Sequence, residues 1–319
     1  MSRNPIQTKV LISQKTFHPK FNEPPADIIL SSNPGTLFRM PSITMRTTSG
    51  LLRLFLADYE PVKVDSPHST PEGHASGTDT GSPMDVISLP FDDAPIERVL
   101  LLLSAQPTEP WMSFAELEAA VNVMDYLDTP GPISYVRVSC FLPTFLSEPI
   151  RLYGLGARYG WEDVIQHAAE LTLSLNLFPP SSPSDDESET DRKEIEDQLT
   201  RLPSTYLYRL LKMHRRRRDN FRELLFSSDM FSVGNAAHVN CPCGTEINNA
   251  TWHELRARLV WELDQNPSGK TILALEMEEM DESSRCWKAK CSRCASLYYN
   301  RLETMKNIRA CVEQLPKDV

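Results

Sequence analysis

Four of the seven cysteines stand in two short pairs: Cys241 and Cys243 in His-Val-Asn-Cys-Pro-Cys-Gly, and Cys291 and Cys294 in Cys-Ser-Arg-Cys. Thiolate pairs at such spacing can each fill half of a tetrahedral zinc shell. The helical pattern from Trp252 to Leu263 separates the pairs and lets two distant knuckles close around one ion. His238 and Cys286 are spare donors, and the competing reading is a set of reduced, partly buried cysteines. Cys140 and Cys311 are isolated and read as packing residues.

The remaining reactive-looking residues have plainer readings. Arg215 to Arg218 is the one basic run, readable as a nuclear localisation signal or a phosphate patch. Four consecutive helical residues point all around a helix, however, and Asp219 and Glu223 dilute the charge, which favours a solvated or salt-bridged helix. His214 reads as a packed helix residue. Pro267-Ser-Gly-Lys-Thr271 ends like a phosphate-binding loop, but its first glycine position holds Asp264 and no strand precedes it. A turn before a helix over Ile272 to Met280 is expected instead. His253-Glu254 lacks the second histidine of a zinc-protease helix, and Glu254 is expected to form a capping box with Thr251. His68 and His74 fall in a polar stretch without partner ligands. Ser184 and Ser188 stand beside carboxylates, as in sites of acidophilic kinases, or in a plain solubilising linker. There is no nucleophile–base pair, acid dyad or dinucleotide fingerprint, so no catalytic or cofactor-binding residue is assigned and a non-enzymatic role is expected.

These residues sit in a chain of 319 amino acids, long enough for two domains with real cores. Its 40% hydrophobic and 24% charged content is ordinary for a globular protein, and a net charge of −10 argues against general affinity for nucleic acid or acidic membranes. No run approaches the ~18 apolar residues of a membrane span, and the first residues lack a signal-peptide core. An intracellular protein, cytoplasmic and/or nuclear, with reduced cysteines is expected.

The elements that must position the site follow from patterning. Residues 1–25 read as a flexible leader, with an edge strand suggested just before Ala26. Ile28 to Leu30 and Thr36 to Met40 read as strands around the Asn33-Pro34-Gly35 turn, and Ser42 to Arg46 and Gly50 to Leu56 as two short helices. Residues 60–83 read as a disordered insertion. A strand over Met84 to Leu89 follows, then a helix with Ile96, Val99, Leu100 and Leu103 on one face. The next helix opens on a Ser113/Glu116 capping box and buries Leu117, Ala120, Val121 and Met124. Pro130-Gly131-Pro132 breaks the pattern before a helix over Ile133 to Leu142. Helices are expected from Pro149 to Arg158, Trp161 to Leu177 and Ser204 to Phe226, with an acidic disordered linker over 179–193. Leu207, Leu210, Leu211, His214, Phe221 and Leu225 form the inward face of the last helix.

The resulting order, from Ala26 to about Leu142, resembles a BTB/POZ domain, including the apolar Ala119 to Leu127 stretch that ends in Tyr126-Leu127. Arg151 to Gly160 (Arg-Leu-Tyr-Gly-Leu-Gly-Ala-Arg-Tyr-Gly) resembles the helical region that follows this domain in fungal, basidiomycete-type BTB proteins. The resemblance implies an α+β fold: a BTB/POZ-like domain over 26–143, BACK-like helices over 144–178, and a helical C-terminal region over 194–319 with paired cysteines. It also implies a protein-interaction module, an adaptor or scaffold, with a homodimer or a cullin-type ubiquitin-ligase scaffold as partner. The chain departs from the family at Pro41, where a histidine is usual, and this bears on the dimer. The alternative is a nuclear transcriptional or chromatin-associated regulator with a zinc-stabilised C-terminal region.

Overall fold

A computed structural model describes residues 16–23, 26–57, 86–178 and 186–319 of the chain. The fold is α+β and mostly helical, with one small sheet. It divides into two compact units, Met1–Phe145 and Leu146–Val319. The expected insertion over 60–83 lies outside the described residues, as do 1–15 of the leader and 179–185 of the acidic linker.

In the first unit, β1 (Ile28–Ser31) lies between β2 (Leu37–Met40) and β3 (Val86–Ser88). β1 runs antiparallel to β2, with Leu30 opposite Phe38, and parallel to β3, with Ile29 opposite Val86. All four residues of β1 are buried, which explains its continuous apolar reading rather than an alternating one. Gly35 carries the left-handed φ of 97° that the connecting turn requires. Part of the leader is ordered, in keeping with the suggested edge strand: Phe17 bridges Leu37, and residues 16–23 lie along the edge of β2. The His18 amide donates to the Leu37 carbonyl and the Leu37 amide to that of Thr16. His18 stacks on Phe38 and Phe21 is buried, so this segment has the apolar anchors that its polar neighbours lack.

α1 (Ser42–Thr48) is capped by Asp27, whose carboxylate accepts from both the amide and the hydroxyl of Ser42 at 2.5 Å. Ser49 caps α2 (Gly50–Phe55) and donates its hydroxyl to Leu127 O. α3 (Asp93–Leu103) and α4 (Phe114–Leu127) bury the stripes read from their sequences. At the start of α4, Ser113 accepts from the Glu116 amide, but the Glu116 carboxylate reaches the Met112 amide, one residue upstream of a capping box. α4 ends before Pro130-Gly131-Pro132, as expected, but α5 spans Pro130–Ser139 and not 133–142, because the two prolines fit its first turn, whose amides need no intrahelical acceptor.

In the second unit, α6 (Pro149–Tyr159) and α7 (Glu162–Thr172) form a hairpin through Gly160, at φ +66°. The acidic segment expected to be disordered to 193 is helical from 186, as α8 (Asp186–Thr200). Its last turns supply what the acidic run lacks, buried Leu199 followed by Leu202 and the i,i+4 pairs Glu194–Gln198 and Asp197–Arg201. α9 (Ser204–Phe226) has the expected limits, but its inward stripe is Leu210, Met213, Arg217, Phe221 and Leu225. Short α10 (Ser232–Asn235) precedes α11 (Ala250–Gln265), and α14 (Asp281–Lys288) and α15 (Arg301–Glu313) complete the unit. The helix expected over 272–280 is two pieces, α12 (Lys270–Leu273) and α13 (Leu275–Glu279), because Ala274 between them is extended. The start of α11 also differs. Asn249 and Asn248 stand at its N-terminus, and Glu254 pairs with Arg285 instead of capping with Thr251. Among the described residues, no helix is long and apolar enough to cross a membrane.

Candidate metal centre

The thiol groups of Cys241, Cys243, Cys291 and Cys294 converge, all four sulfurs within 4.8 Å of one another. Two knuckles of related build bring them there. In the first, the Cys241 amide donates to Thr245 O and the Gly244 amide returns to Cys241 O, with Gly244 at φ +83°. In the second, the Cys291 amide donates to Ser296 O and the Ala295 amide to Cys291 O, with Ala295 at φ 58°. The second turn is one residue longer, which accounts for Cys-x-x-Cys there against Cys-x-Cys in the first. Short bridges, Asn240 with Glu246 and Lys290 with Leu297, close the base of each knuckle.

The knuckles are held together by a core of Phe231, Trp252, Leu255, Leu259, Cys286 and Tyr299, drawn chiefly from α11, α14 and the segment before α15. Three polar ties inside it were not legible from spacing. Tyr299, just past the second knuckle, donates its hydroxyl to Asn249 Oδ1 at 2.8 Å, just past the first. Asn249 in turn donates to Val233 O, and Trp252 Nε1 donates to Asn235 Oδ1. Gly234 is a glycine because a Cβ there would sit 2.5 Å from the Trp252 ring.

Tetrahedral coordination by sulfur at about 2.3 Å from the metal places the sulfurs about 3.8 Å apart. The hydrogen-bonded cross-knuckle pairs, Cys241–Cys294 at 3.3 Å and Cys243–Cys291 at 3.5 Å, together with the 4.8 Å limit, bracket that value. The electrostatics point the same way. Amides of Cys294 and Arg293 directed at Cys291 pull its thiol down to about 6. The Ser296 hydroxyl lowers Cys294 as well. The Cys243 amide acts to lower Cys241, yet the adjoining Cys294 thiol holds it up, at about 12. Four clustered sulfurs cannot all ionise against one another, and a divalent cation would remove that repulsion. Arg293, inside the second pair, donates to the Cys243 carbonyl at 3.1 Å and brings a cation beside the cluster, which favours thiolates there. The donor set therefore fits zinc, and four protein ligands would leave no open position for a substrate.

The two spare donors are elsewhere. His238 is exposed and pairs with Glu246. Cys286 faces the core, where burial pushes its thiol up to about 12. Cys140 and Cys311 are fully buried.

The basic run is not a uniform patch. Arg217 is 2% exposed and donates to the carbonyls of Pro267 at 2.8 Å, Leu315 at 3.2 Å and Pro316 at 2.5 Å. Arg215 pairs with Asp219, Arg216 with Asp318, and Arg218 with Asp219 and Asp264. Asp264, the residue that breaks the phosphate-loop pattern, is thus an ion-pair partner. Gly269 of that pattern has φ +77° and would place a Cβ 2.6 Å from Val312, so it serves packing. His214 shares a hydrogen bond with Thr172, and burial holds its pKa down at about 4.

Compared with family models, with curated proteins and with solved structures, the chain matches none.

Proposed function

We propose that this chain is a non-enzymatic interaction protein whose C-terminal unit is held closed by one zinc ion on Cys241, Cys243, Cys291 and Cys294. The observation that carries the reading is the convergence of four thiols from two distant knuckles, with no fifth donor grouped with them among the described residues. Such a closed set gives folding energy and leaves no position for catalysis. Elemental analysis of reduced protein should return one zinc per chain, and a chelator should lower the unfolding temperature of the C-terminal unit. Absence of zinc from freshly purified reduced protein, with unchanged unfolding on chelation, would refute the metal.

The N-terminal unit carries the interaction role in this proposal, as a BTB/POZ-like module. Its support is the element order, two strands, a helix pair, a third strand and three helices, together with the exposure of Ile43 on α1 at 68% and Leu54 on α2 at 79%. Apolar side chains that project from paired helices suit a partner surface, each contributing by burial at ~25 cal/mol per Å². The partner class is a second copy of this chain or a cullin-type scaffold. Affinity purification followed by mass spectrometry distinguishes them, with capture lost in an Ile43→Asp/Leu54→Asp variant of unchanged circular dichroism. Undiminished capture by that variant would place the contact elsewhere.

A further inference from the structure

We infer that the four-sulfur cluster is a peroxide-responsive site, in which Cys294 is the reacting thiol and Cys241 resolves it. The inference rests on the zinc reading above and adds a second way of closing the same unit. The argument starts from exposure. Cys241 and Cys291 are buried residues and Cys243 is half-buried, but Cys294 is exposed, so of the four it is the residue most open to a small oxidant from solvent. Two sulfur pairs are aligned as hydrogen bonds. Cys294 lies 3.3 Å from Cys241, and Cys243 lies 3.5 Å from Cys291, so each aligned contact joins one knuckle to the other. A disulfide bond is about 2.05 Å long, so each pair must close by roughly 1.3 to 1.5 Å, within reach of side-chain rotation and small loop adjustment.

The chemistry balances with a hydroperoxide as the oxidant. The Cys294 thiolate attacks one peroxide oxygen, the O–O bond breaks, and water or an alcohol leaves once a proton is taken up, giving a sulfenic acid. Cys241, a thiolate when it is a zinc ligand, then attacks the Cys294 sulfur; the S–O bond breaks, and the hydroxide that leaves takes up a proton to become water. Two sulfurs have given up two electrons and one peroxide has been reduced. The two thiolates left, Cys243 and Cys291, no longer complete a tetrahedral shell. A second peroxide converts them by the same steps to the second disulfide.

The pairing decides what oxidation does to the fold. Bonds within a knuckle, Cys241–Cys243 or Cys291–Cys294, would leave the knuckles free to part. The cross-knuckle bonds fasten residues 53 and 48 apart and keep the unit closed without a metal. Oxidation would therefore release zinc while preserving helical content and changing the charge and shape of the exposed knuckle tip around Arg293.

The test uses the full chain, reduced, desalted without oxygen and assayed for zinc before treatment with graded hydrogen peroxide. Free thiols are alkylated and the disulfides mapped by mass spectrometry, with zinc release and circular dichroism followed in parallel. The expected result is loss of alkylation at Cys294 and Cys241 first, zinc released in step with the Cys241–Cys294 bond, then Cys243–Cys291, with the helical signal kept. A Cys294→Ser variant should lose the first bond and slow zinc release at least tenfold, and wild-type mapping stands independently should that variant misfold. Disulfides within the knuckles, or sulfinic acid at Cys294 without a cross-link, would overturn the inference. Reduced protein without zinc that still forms both cross-knuckle bonds would instead overturn the zinc reading and leave the pairing standing.

Discussion

Replacing Arg217 by alanine should be the most damaging single change in the basic run. The guanidinium is 2% exposed and is the donor to three carbonyls, those of Pro267, Leu315 and Pro316. Removing it strands three acceptors in a region closed to water, and hydrogen bonds to a charged donor carry about 1.5–3 kcal/mol each. Their sum is reduced because a buried cation also disappears, an effect visible in the lowering of the Arg217 pKa by burial. A net loss of about 3–5 kcal/mol is expected. Arg215→Ala and Arg216→Ala, with side chains 76% and 52% exposed, should cost less than about 1 kcal/mol. Arg217→Lys should fall between, since one ammonium cannot span three carbonyls. Urea unfolding followed by circular dichroism reads the difference, with a midpoint drop of about 1 M or more for Arg217→Ala at unchanged slope. If Arg217→Ala and Arg216→Ala shift the midpoint equally, the buried-anchor argument fails.

Three further outcomes follow from the same geometry. Gly234→Ala should destabilise by about 1–3 kcal/mol, read by thermal unfolding, because its methyl would meet the Trp252 ring at 2.5 Å. Tyr299→Phe should cost about 1 kcal/mol through the lost bond to Asn249, and no loss would mean that this tie does not hold the knuckles together. For His214, the unfolded chain takes up a proton near the ordinary pKa of 6.5, whereas the native imidazole does so only near about 4. Between these values the unfolded state binds more protons, so stability falls as pH falls through this window, by up to about 3 kcal/mol. A His214→Gln variant should flatten that part of the pH–stability curve, and an unaltered slope would remove His214 as its cause.

How much was legible depended on whether the signal was local. The limits of α9 followed from its apolar period, and the buried stripes of α3 and α4 from theirs. Arg217 did not, because a helical stripe read from hydrophobicity skips an arginine, and its acceptors lie about 50 and 98 residues away. Acidic composition over 179–193 signals disorder, yet α8 forms from Asp186 because Leu199 and Leu202 anchor its far end. Pro130 and Pro132 mark the break after α4 but also form the first turn of α5, a place that composition alone does not distinguish from a loop. For the cysteines, the sequence supplied the residue types and the two pairs. Which sulfur meets which, and the exclusion of His238 and Cys286, depend on chain paths around α11 that no spacing rule encodes.

The separation between the two knuckles also sets an order of events. Cys241 and Cys294 are 53 residues apart, so their approach must await the packing of α11 against α14, whereas each knuckle turn needs only its own few residues. Closing a loop of that length costs about 4 kcal/mol of chain entropy, which the half-formed cluster cannot offset alone. The four sulfurs should therefore meet late in folding, after two preformed half-sites have waited in an open chain. During that interval each half-site stands as a separate two-thiol ligand, able to hold a metal ion before the four-sulfur shell is complete.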